Sequence, residues 1–180
     1  MTCLAYRTRG TNTAMNPVNP ESETGHDSGR PEHGTGRQEH DIRRATTVEE
    51  VLAAPELFDS TPYPEATRRF LAAPGHHMFL AYAPDAPPGI PVGFITGIEM
   101  LHPDKGVEMC LYELGVAEPY RRRGLATALI HTLLALSRDL DCYDMWVGVE
   151  RDNDPALRAY RGTGAEEDGV CAVLVWELAG

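Results

Sequence analysis

The chain lacks the cysteine pairs that a structural zinc site or a disulfide framework requires. Its four cysteines are spread over 180 residues, and no two of them form a CxxC motif. Isolated cysteines of this kind are typical of reduced, buried thiols. We therefore expect no bound metal. The cysteines are Cys3, Cys110, Cys142 and Cys171.

Long apolar runs are also absent, although 42% of the residues are hydrophobic. A membrane-spanning helix needs about 18 or more consecutive apolar residues, and no stretch approaches that length. The opening MTCLAYRTRG carries no apolar segment typical of a secretory signal. These features predict a soluble, cytoplasmic protein with one hydrophobic core and no membrane partner.

Positive charge is scarce, because 16 lysine and arginine residues stand against 27 acidic residues and give a formal net charge of −11. Proteins that bind nucleic-acid phosphates need the opposite balance. A nucleic-acid partner is therefore the weakest hypothesis, and a cationic partner fits better. The one dense basic cluster beyond residue 40 is the triplet Arg121, Arg122 and Arg123.

Residues 8–40 consist mainly of small, polar and charged residues, with almost no large apolar side chain. Such a segment cannot bury enough apolar surface to offset the entropy lost on ordering. We predict a disordered N-terminal tail over residues 1–40 and a single folded domain over residues 41–180.

The rest of the chain alternates between strand and helix patterns, which predicts a mixed α/β fold. Thr47 followed by Glu50 has the spacing of a capping box and marks a first helix. Other helices are predicted at 64–73, 124–138 and 155–161, and strands at 41–45, 77–82, 92–100, 108–116, 143–149 and 170–178.

The arginine triplet stands between the apolar strand 108–116 and a leucine-striped helix. A helix N-terminus presents unpaired N–H groups and the positive end of a dipole, so it stabilises an anion. Gly124 lets a phosphate approach the backbone, and small Ala126 keeps the first turn open. A solvated turn is the alternative interpretation. No GKS or GKT follows and further glycines are missing, which excludes a P-loop and a Rossmann site.

The segment LYELGVAEPYRRRGLATALI resembles motif A of the GNAT superfamily of N-acetyltransferases, whose signature Q/R-x-x-G-x-G/A is met by Arg121, Gly124 and Ala126. The segment NDPALRAYRGTGAEE, residues 153–167, is similar to the next motif of that superfamily and has its tyrosine at Tyr160. The resemblance implies a GNAT-type fold: a central mixed, mostly antiparallel sheet flanked by about four helices. It also implies acetyl-CoA as co-substrate.

The same resemblance implies the cofactor contacts. Backbone groups of the strand would hold the pantetheine arm, loop amides would hold the pyrophosphate, and a tyrosine would stand near the sulfur. The residues concerned are Leu114, Gly115, Val116, Arg121, Arg122, Arg123, Gly124, Leu125, Ala126, Thr127, Asn153 and Tyr160.

Glu113 interrupts the apolar central strand, where an ionised carboxylate is costly unless it is paired or used in chemistry. An ion pair with an arginine is one interpretation. A general base that takes a proton from the substrate ammonium is the other, and we favour it. For Tyr160, core packing is the alternative to the general acid that the resemblance implies.

Within the superfamily, Tyr112 to Val116 and the loop after it are most similar to the aminoglycoside 3-N-acetyltransferases, which tend to have aspartate where this chain has Glu113. A polycationic amino sugar fits a site rimmed by carboxylates. We therefore predict substrate contacts from Glu113, Glu150, Asp152 and Asp154, although the last three could also form a solvated loop and helix cap.

Two alternatives for the function and one question about the assembly stay open. The acceptor could be a polyamine, an amino acid or a protein N-terminus. The domain could also be a catalytically silent acyl-CoA-binding module. Because the superfamily often dimerises, the last predicted strand could form the interface of a homodimer.

Overall fold

A computed structural model describes residues 40–178, so the predicted tail lies outside the described residues except for His40. The strands are β1 (Asp41–Arg44), β2 (His76–Tyr82), β3 (Gly93–His102), β4 (Gly106–Val116) and β5 (Met145–Trp146). The helices are α1 (Val48–Leu52), α2 (Pro64–Ala72), α3 (Leu125–Asp139) and α4 (Asp154–Gly162), with short 3-10 turns at Pro55–Leu57 and Glu118–Tyr120. None of the helices in this range is long and apolar enough to cross a membrane.

The five strands form one sheet in the order β1-β2-β3-β4-β5. The first four pair antiparallel, and β5 pairs parallel with β4. Loops join β2 to β3 and β3 to β4 directly, whereas α1 and α2 lie between β1 and β2. The parallel step from β4 to β5 passes through α3, as parallel strands require. The predicted mixed, mostly antiparallel sheet with four helices is confirmed.

An apolar layer covers each face of the sheet. On one face, Leu125, Leu129 and Leu133 of α3 pack against sheet residues such as Ile95 and Met109. These leucines recur at the helical period, so the predicted stripe is confirmed. On the other face, a second cluster joins Val51 of α1 and Phe70 of α2 to residues of β2 and β3.

The capping box at the start of α1 is formed as predicted. Glu50 N donates to Thr47 Oγ1 at 3.2 Å, and Thr47 N donates to Glu50 Oε2 at 2.9 Å. Backbone amides of Thr46 and Thr47 thereby lower the pKa of Glu50, against the effect of burial. The cap fixes the start of the segment that runs from α1 across the sheet.

A β-bulge in β4 decides which face of the sheet Glu113 occupies. Thr96 pairs with Glu113 while Gly97 pairs with Leu111, which leaves Tyr112 as an extra residue on β4. Side chains alternate along a strand, so one extra residue reverses the faces of those that follow. Without the bulge, Glu113 would share the α3 face with Leu111. With it, Glu113 points to the opposite face.

The end of the chain differs from the prediction. The strand expected at 143–149 is reduced to Met145–Trp146, and the strand expected at 170–178 is not formed. A strand propensity produces a strand only where a neighbouring edge supplies hydrogen bonds. Within the described chain no such partner meets residues 170–178, and large apolar side chains such as Leu174 and Trp176 are exposed.

Gly115 is required where the turn after α1 crosses β4. A Cβ atom at this position would lie 2.5 Å from Phe94 Cε1 and 2.9 Å from the carbonyl oxygen of Leu57. We predict that Gly115→Ala lowers the free energy of unfolding by about 1–3 kcal/mol, as overpacking does. Urea denaturation measures this change.

Gly162→Ala is the matched control, because nothing lies within 4 Å of a Cβ atom there. Its unfolding free energy should stay within about 0.5 kcal/mol of the wild type. Equal losses for the two variants would contradict the packing described at Gly115.

Candidate active site

The region beside β4 where its pairing with β5 stops is called the wedge here. The two strands pair only through Met109 with Met145 and Cys110 with Trp146. Strand β4 nevertheless continues to Val116, and no other strand in residues 40–178 pairs with that edge. The edge of β4 from residue 111 to residue 116 therefore presents backbone groups that the sheet does not use.

The closed end of the wedge is held by a buried carboxylate that the sequence analysis did not identify. Glu108 Oε1 lies 2.9 Å from His102 Nε2, and Tyr143 donates its hydroxyl to Oε2 at 2.8 Å. Burial alone would raise the pKa of Glu108, but these hydrogen bonds outweigh it and lower the pKa. The cluster ties the β3–β4 hairpin to the start of β5.

The open edge exposes the backbone of Leu114 and Val116. Ala117 N donates to Val92 O at 2.9 Å, directly beyond Val116. Pairs that exchange hydrogen bonds alternate with pairs that do not, so the N–H and C=O groups of Leu114 and Val116 point away from β3. A hydrogen bond supports this direction: Arg121 Nε donates to Val116 O at 2.9 Å. The backbone N–H and C=O groups of Gly115, between these two residues, point toward β3 instead.

The N-terminus of α3 lies next along the chain. Gly124 caps it with a φ of 84°, a left-handed conformation that favours glycine. No side chain caps the helix, and its first turn contains no acidic residue. Within the described residues, the amides of Leu125, Ala126 and Thr127 have no backbone acceptor, whereas Ala128 N already donates to Gly124 O. This end can therefore bind an anion.

The three arginines divide into two roles. Arg123 donates from Nη1 to Asp85 Oδ2 at 2.8 Å and from Nη2 to Pro119 O at 2.9 Å. Arg121 is engaged with β4. Arg122 has a φ of 60° and makes no side-chain hydrogen bond or ion pair to any other described residue. Two arginines thus shape the loop, and the guanidinium of Arg122 can receive an anion.

Glu113 lies half-buried on the face opposite α3, beside Thr96, whose Oγ1 donates a long hydrogen bond to Oε2 at 3.5 Å. Burial raises the pKa of Glu113, the carboxylate of Asp59 raises it further, and the Thr96 hydroxyl partly opposes them. No arginine pairs with Glu113 among the described residues. Such a carboxylate takes up a proton more readily than an ordinary one.

Tyr160 and the acidic loop lie on and before α4. Tyr160 packs against the cluster of apolar residues around α3, and burial raises its pKa, which keeps the hydroxyl protonated. Asn153 is the N-cap of α4, since its Oδ1 accepts from Ala156 N at 3.3 Å. The three remaining predicted residues, Glu150, Asp152 and Asp154, are exposed.

The site thus differs in part from what the sequence predicted. The residues of the β4 edge and of the α3 N-terminus, together with Glu113, come from consecutive segments. Their functional roles stay predictions. Asn153 has a structural role in the cap, which accounts for its place before Pro155. Besides Glu108, sequence reasoning missed Asp59 and Thr96, because only the pairing of β3 with β4 and the course of the turn after α1 bring them to Glu113.

Residues 43–165 match the acetyltransferase (GNAT) family. The chain belongs to this family. An uncharacterised N-acetyltransferase of Mycobacterium tuberculosis is 34% identical over 77 residues, which are 43% of this chain and 49% of that protein. The chain therefore spans about half the length of the curated relatives it matches.

Solved structures of similar fold include aminoglycoside acetyltransferases. The enzyme meta-AAC0020 from an uncultured soil metagenomic sample has a TM-score of 0.67 at 20% identity, over 77% of this chain and 97% of that one. Aminoglycoside N-acetyltransferase AAC(6')-Iy in complex with CoA has a TM-score of 0.65 at 19% identity, over 77% and 100%. At these identities the likeness confirms the GNAT fold.

The raised pKa of Glu113 makes a prediction for stability. The folded state binds the Glu113 proton more tightly than the unfolded state, so the wild type loses stability as pH rises from the ordinary carboxyl pKa through the raised one. We expect Glu113→Gln to melt at a higher temperature than the wild type near pH 7, with a difference that shrinks near pH 4. Calorimetry at several pH values measures it.

Glu118→Gln is the control, because Glu118 is an exposed acidic residue a few positions along the chain. It should show no such pH-dependent gain. A Glu113→Gln variant that is less stable than the wild type near pH 7 would contradict the environment described for this carboxyl.

Proposed function

We propose that the chain is an acetyl-CoA-dependent N-acetyltransferase whose co-substrate lies in the wedge between β4 and β5. One observation carries the proposal: the unpaired edge of β4 is followed, after a 3-10 turn and the arginine triplet, by a helix N-terminus that no described side chain caps. The first can pair with the amides of an extended chain, and the second can hold a phosphate. Acetyl-CoA has both groups in one molecule.

The described residues fit this molecule. Leu114 and Val116 direct backbone groups toward the wedge, which suits the pantetheine arm. The free amides of Leu125, Ala126 and Thr127, together with the Arg122 guanidinium, suit the pyrophosphate. Gly115 would contribute by its missing side chain, and Arg121 and Arg123 by holding the loop in shape.

Acetyl-CoA supplies an activated acetyl thioester when it is bound. The substrate amine must be neutral to attack, so Glu113 takes its proton, directly or through water. Tyr160 gives a proton to the departing sulfur, which its raised pKa allows. Burial raises the pKa of the Cys110 thiol to about 11, so this cysteine is a poor nucleophile. Direct transfer to the amine is the simplest route.

The acceptor that we propose is a cationic small molecule, with an aminoglycoside as first choice. Support comes from the acidic character of the chain, from exposed Glu150, Asp152 and Asp154, and from the aminoglycoside acetyltransferases of similar fold. The sequence resemblance favours acetylation at the 3-amino group, whereas the similar enzyme AAC(6')-Iy has a name of the 6' type. A polyamine, an amino acid or a protein N-terminus is the alternative acceptor.

An amine panel tests the reaction. With acetyl-CoA as donor, CoA release should be measured for kanamycin, spermidine, single amino acids and a short peptide. We expect the highest kcat/KM for kanamycin. No turnover of any aminoglycoside, with turnover of another amine, would contradict the proposed acceptor.

Two variants test the catalytic assignment on the best acceptor. Removing a general base or acid lowers the rate by about 10²-fold or more. We therefore expect Glu113→Gln and Tyr160→Phe to lower kcat at least to that extent while acetyl-CoA still binds. The controls Glu118→Gln and Tyr63→Phe change exposed groups and should keep wild-type rates. Unchanged rates in both active-site variants would contradict the catalytic assignment, and acetyl-CoA binding without turnover of any amine would favour a silent acyl-CoA-binding module.

A homodimer is the assembly that we propose for this chain. The segment 170–178 has strand-forming residues, and its apolar side chains are exposed, for example Trp176 at 77%. Among the described residues, no strand pairs with the outer edge of β5. A strand and an edge on one chain can pair reciprocally in a closed two-fold dimer.

Light scattering after size exclusion tests the dimer. We expect the wild type to be a dimer and Trp176→Asp to shift it to monomer. Leu101→Asp is the control, because Leu101 is an equally exposed apolar residue on β3. A monomeric wild type, or a dimer that Trp176→Asp leaves intact, would contradict this assembly.

A further inference from the structure

We propose that Asp85 is a positioning residue for the co-substrate: by holding Arg123, it fixes the loop that leads into the N-terminus of α3. This inference rests on the proposed function and deepens it, because it names a residue outside the predicted site that acts on the pyrophosphate end. Asp85 lies in segment 83–92, which joins β2 to β3. None of the sequence patterns singled out this residue.

The place of Asp85 is fixed by the residues on either side of it. Ala83 and Ala86 pack against the apolar cluster around α3, and Ala86 N donates to Ala83 O at 3.1 Å across the turn that contains Asp85. Proline rings fix φ, and the segment contains four of them, at positions 84, 87, 88 and 91. The Asp85 carboxylate therefore extends from a backbone with little freedom.

Arg123 connects this segment to the loop before α3. Its Nη1 donates to Asp85 Oδ2 at 2.8 Å, its Nη2 donates to Pro119 O at 2.9 Å, and its guanidinium carbon lies 5.0 Å from the centre of the Tyr120 ring. Its neighbour along the chain is Gly124, the N-cap of α3. The side chain of Arg123 thus ties the start of the helix to segment 83–92 and to the 3-10 turn.

The backbone of the arginine loop depends on such contacts. Arg122 has a φ of 60° and Gly124 has a φ of 84°, so two of three consecutive residues are left-handed. A residue with a side chain adopts this conformation at a cost, and the conformation persists only where the surrounding structure enforces it. The side-chain hydrogen bonds of Arg121 and Arg123 fix the chain on both sides of Arg122. Loss of one of them would let the loop relax and disturb the free amides that follow.

The charge of Asp85 and its hold on Arg123 have opposite effects on a bound anion. The hydrogen bond from Arg123 lowers the pKa of Asp85, so the carboxylate is ionised near pH 7. If only its charge mattered, removing it would strengthen the binding of a phosphate nearby. If its hold on Arg123 matters, removing it weakens that binding. The two effects can therefore be told apart by their sign.

The experiment compares two acetyl donors, acetyl-CoA and S-acetylpantetheine, which lacks the pyrophosphate, on the best acceptor of the amine panel. We expect Asp85→Asn to raise KM for acetyl-CoA by about three- to fivefold and to keep kcat within about twofold. For S-acetylpantetheine, kcat/KM should stay within about twofold of the wild type, whereas a general loss of structure would affect both donors alike. Asp85→Glu keeps the carboxylate and should restore most of the affinity for acetyl-CoA.

A double-mutant cycle with Arg123→Gln tests whether Asp85 acts through that arginine. The Kd for CoA, measured by isothermal titration calorimetry, needs no acceptor. We expect each single variant to weaken CoA binding. The double variant should bind CoA within about 1.5-fold of Arg123→Gln alone, because Asp85 then has nothing left to hold.

Glu118→Gln is the matched control, because Glu118 is an exposed carboxylate on the 3-10 turn before the arginine loop and forms no ion pair with another described residue. It should leave KM and Kd unchanged. An Asp85→Asn variant that binds CoA as tightly as the wild type or more tightly, equal losses for the two donors, or an additive cycle would overturn the role of Asp85. Failure of the wild type to bind CoA would instead contradict the proposed function itself.

Discussion

The arrangement of the site depends on how β4 is paired along its two edges. On one side β3 pairs with it over its full length, with one extra residue at Tyr112. On the other side β5 pairs with it at only two positions. The incomplete pairing leaves the backbone of Leu114 and the N–H group of Val116 available, and the bulge turns Glu113 to the face opposite α3. Both features act within five residues, so the unpaired edge and the carboxylate lie side by side.

The charge differs between two parts of the site, the N-terminus of α3 and the surroundings of Glu113. The chain is acidic overall, yet its arginine triplet stands where a helix dipole already favours an anion. Arg121 is held by the carbonyl of Val116 in β4, and Arg123 is held by Asp85 and the carbonyl of Pro119. Arg122, two residues before α3, keeps its positive charge unpaired among the described residues. At the other end, the carboxylate of Glu113 suits the amine that we propose as acceptor. The proposed donor and acceptor sides of the site thus have opposite charge.

Much of the fold followed from local patterns. The capping box at Thr47, the leucine stripe of α3 and the antiparallel strands depend on residues close in sequence, and these predictions were confirmed. The bulge at Tyr112 could not be predicted, because it depends on the register with Gly97 on another strand. Asp59 and Glu108 were missed for the same reason, since their partners come from distant segments. The strand predicted at 170–178 was wrong because propensity alone does not supply a pairing edge.

Amide hydrogen exchange with and without acetyl-CoA tests the central claim most directly. Unpaired backbone groups at the β4 edge and the α3 N-terminus exchange readily unless a ligand takes them up. The account predicts that saturating acetyl-CoA slows exchange at Leu114, Val116 and residues 125–127, with little change in β1 and β2. Binding that saturates without protecting these amides would contradict it.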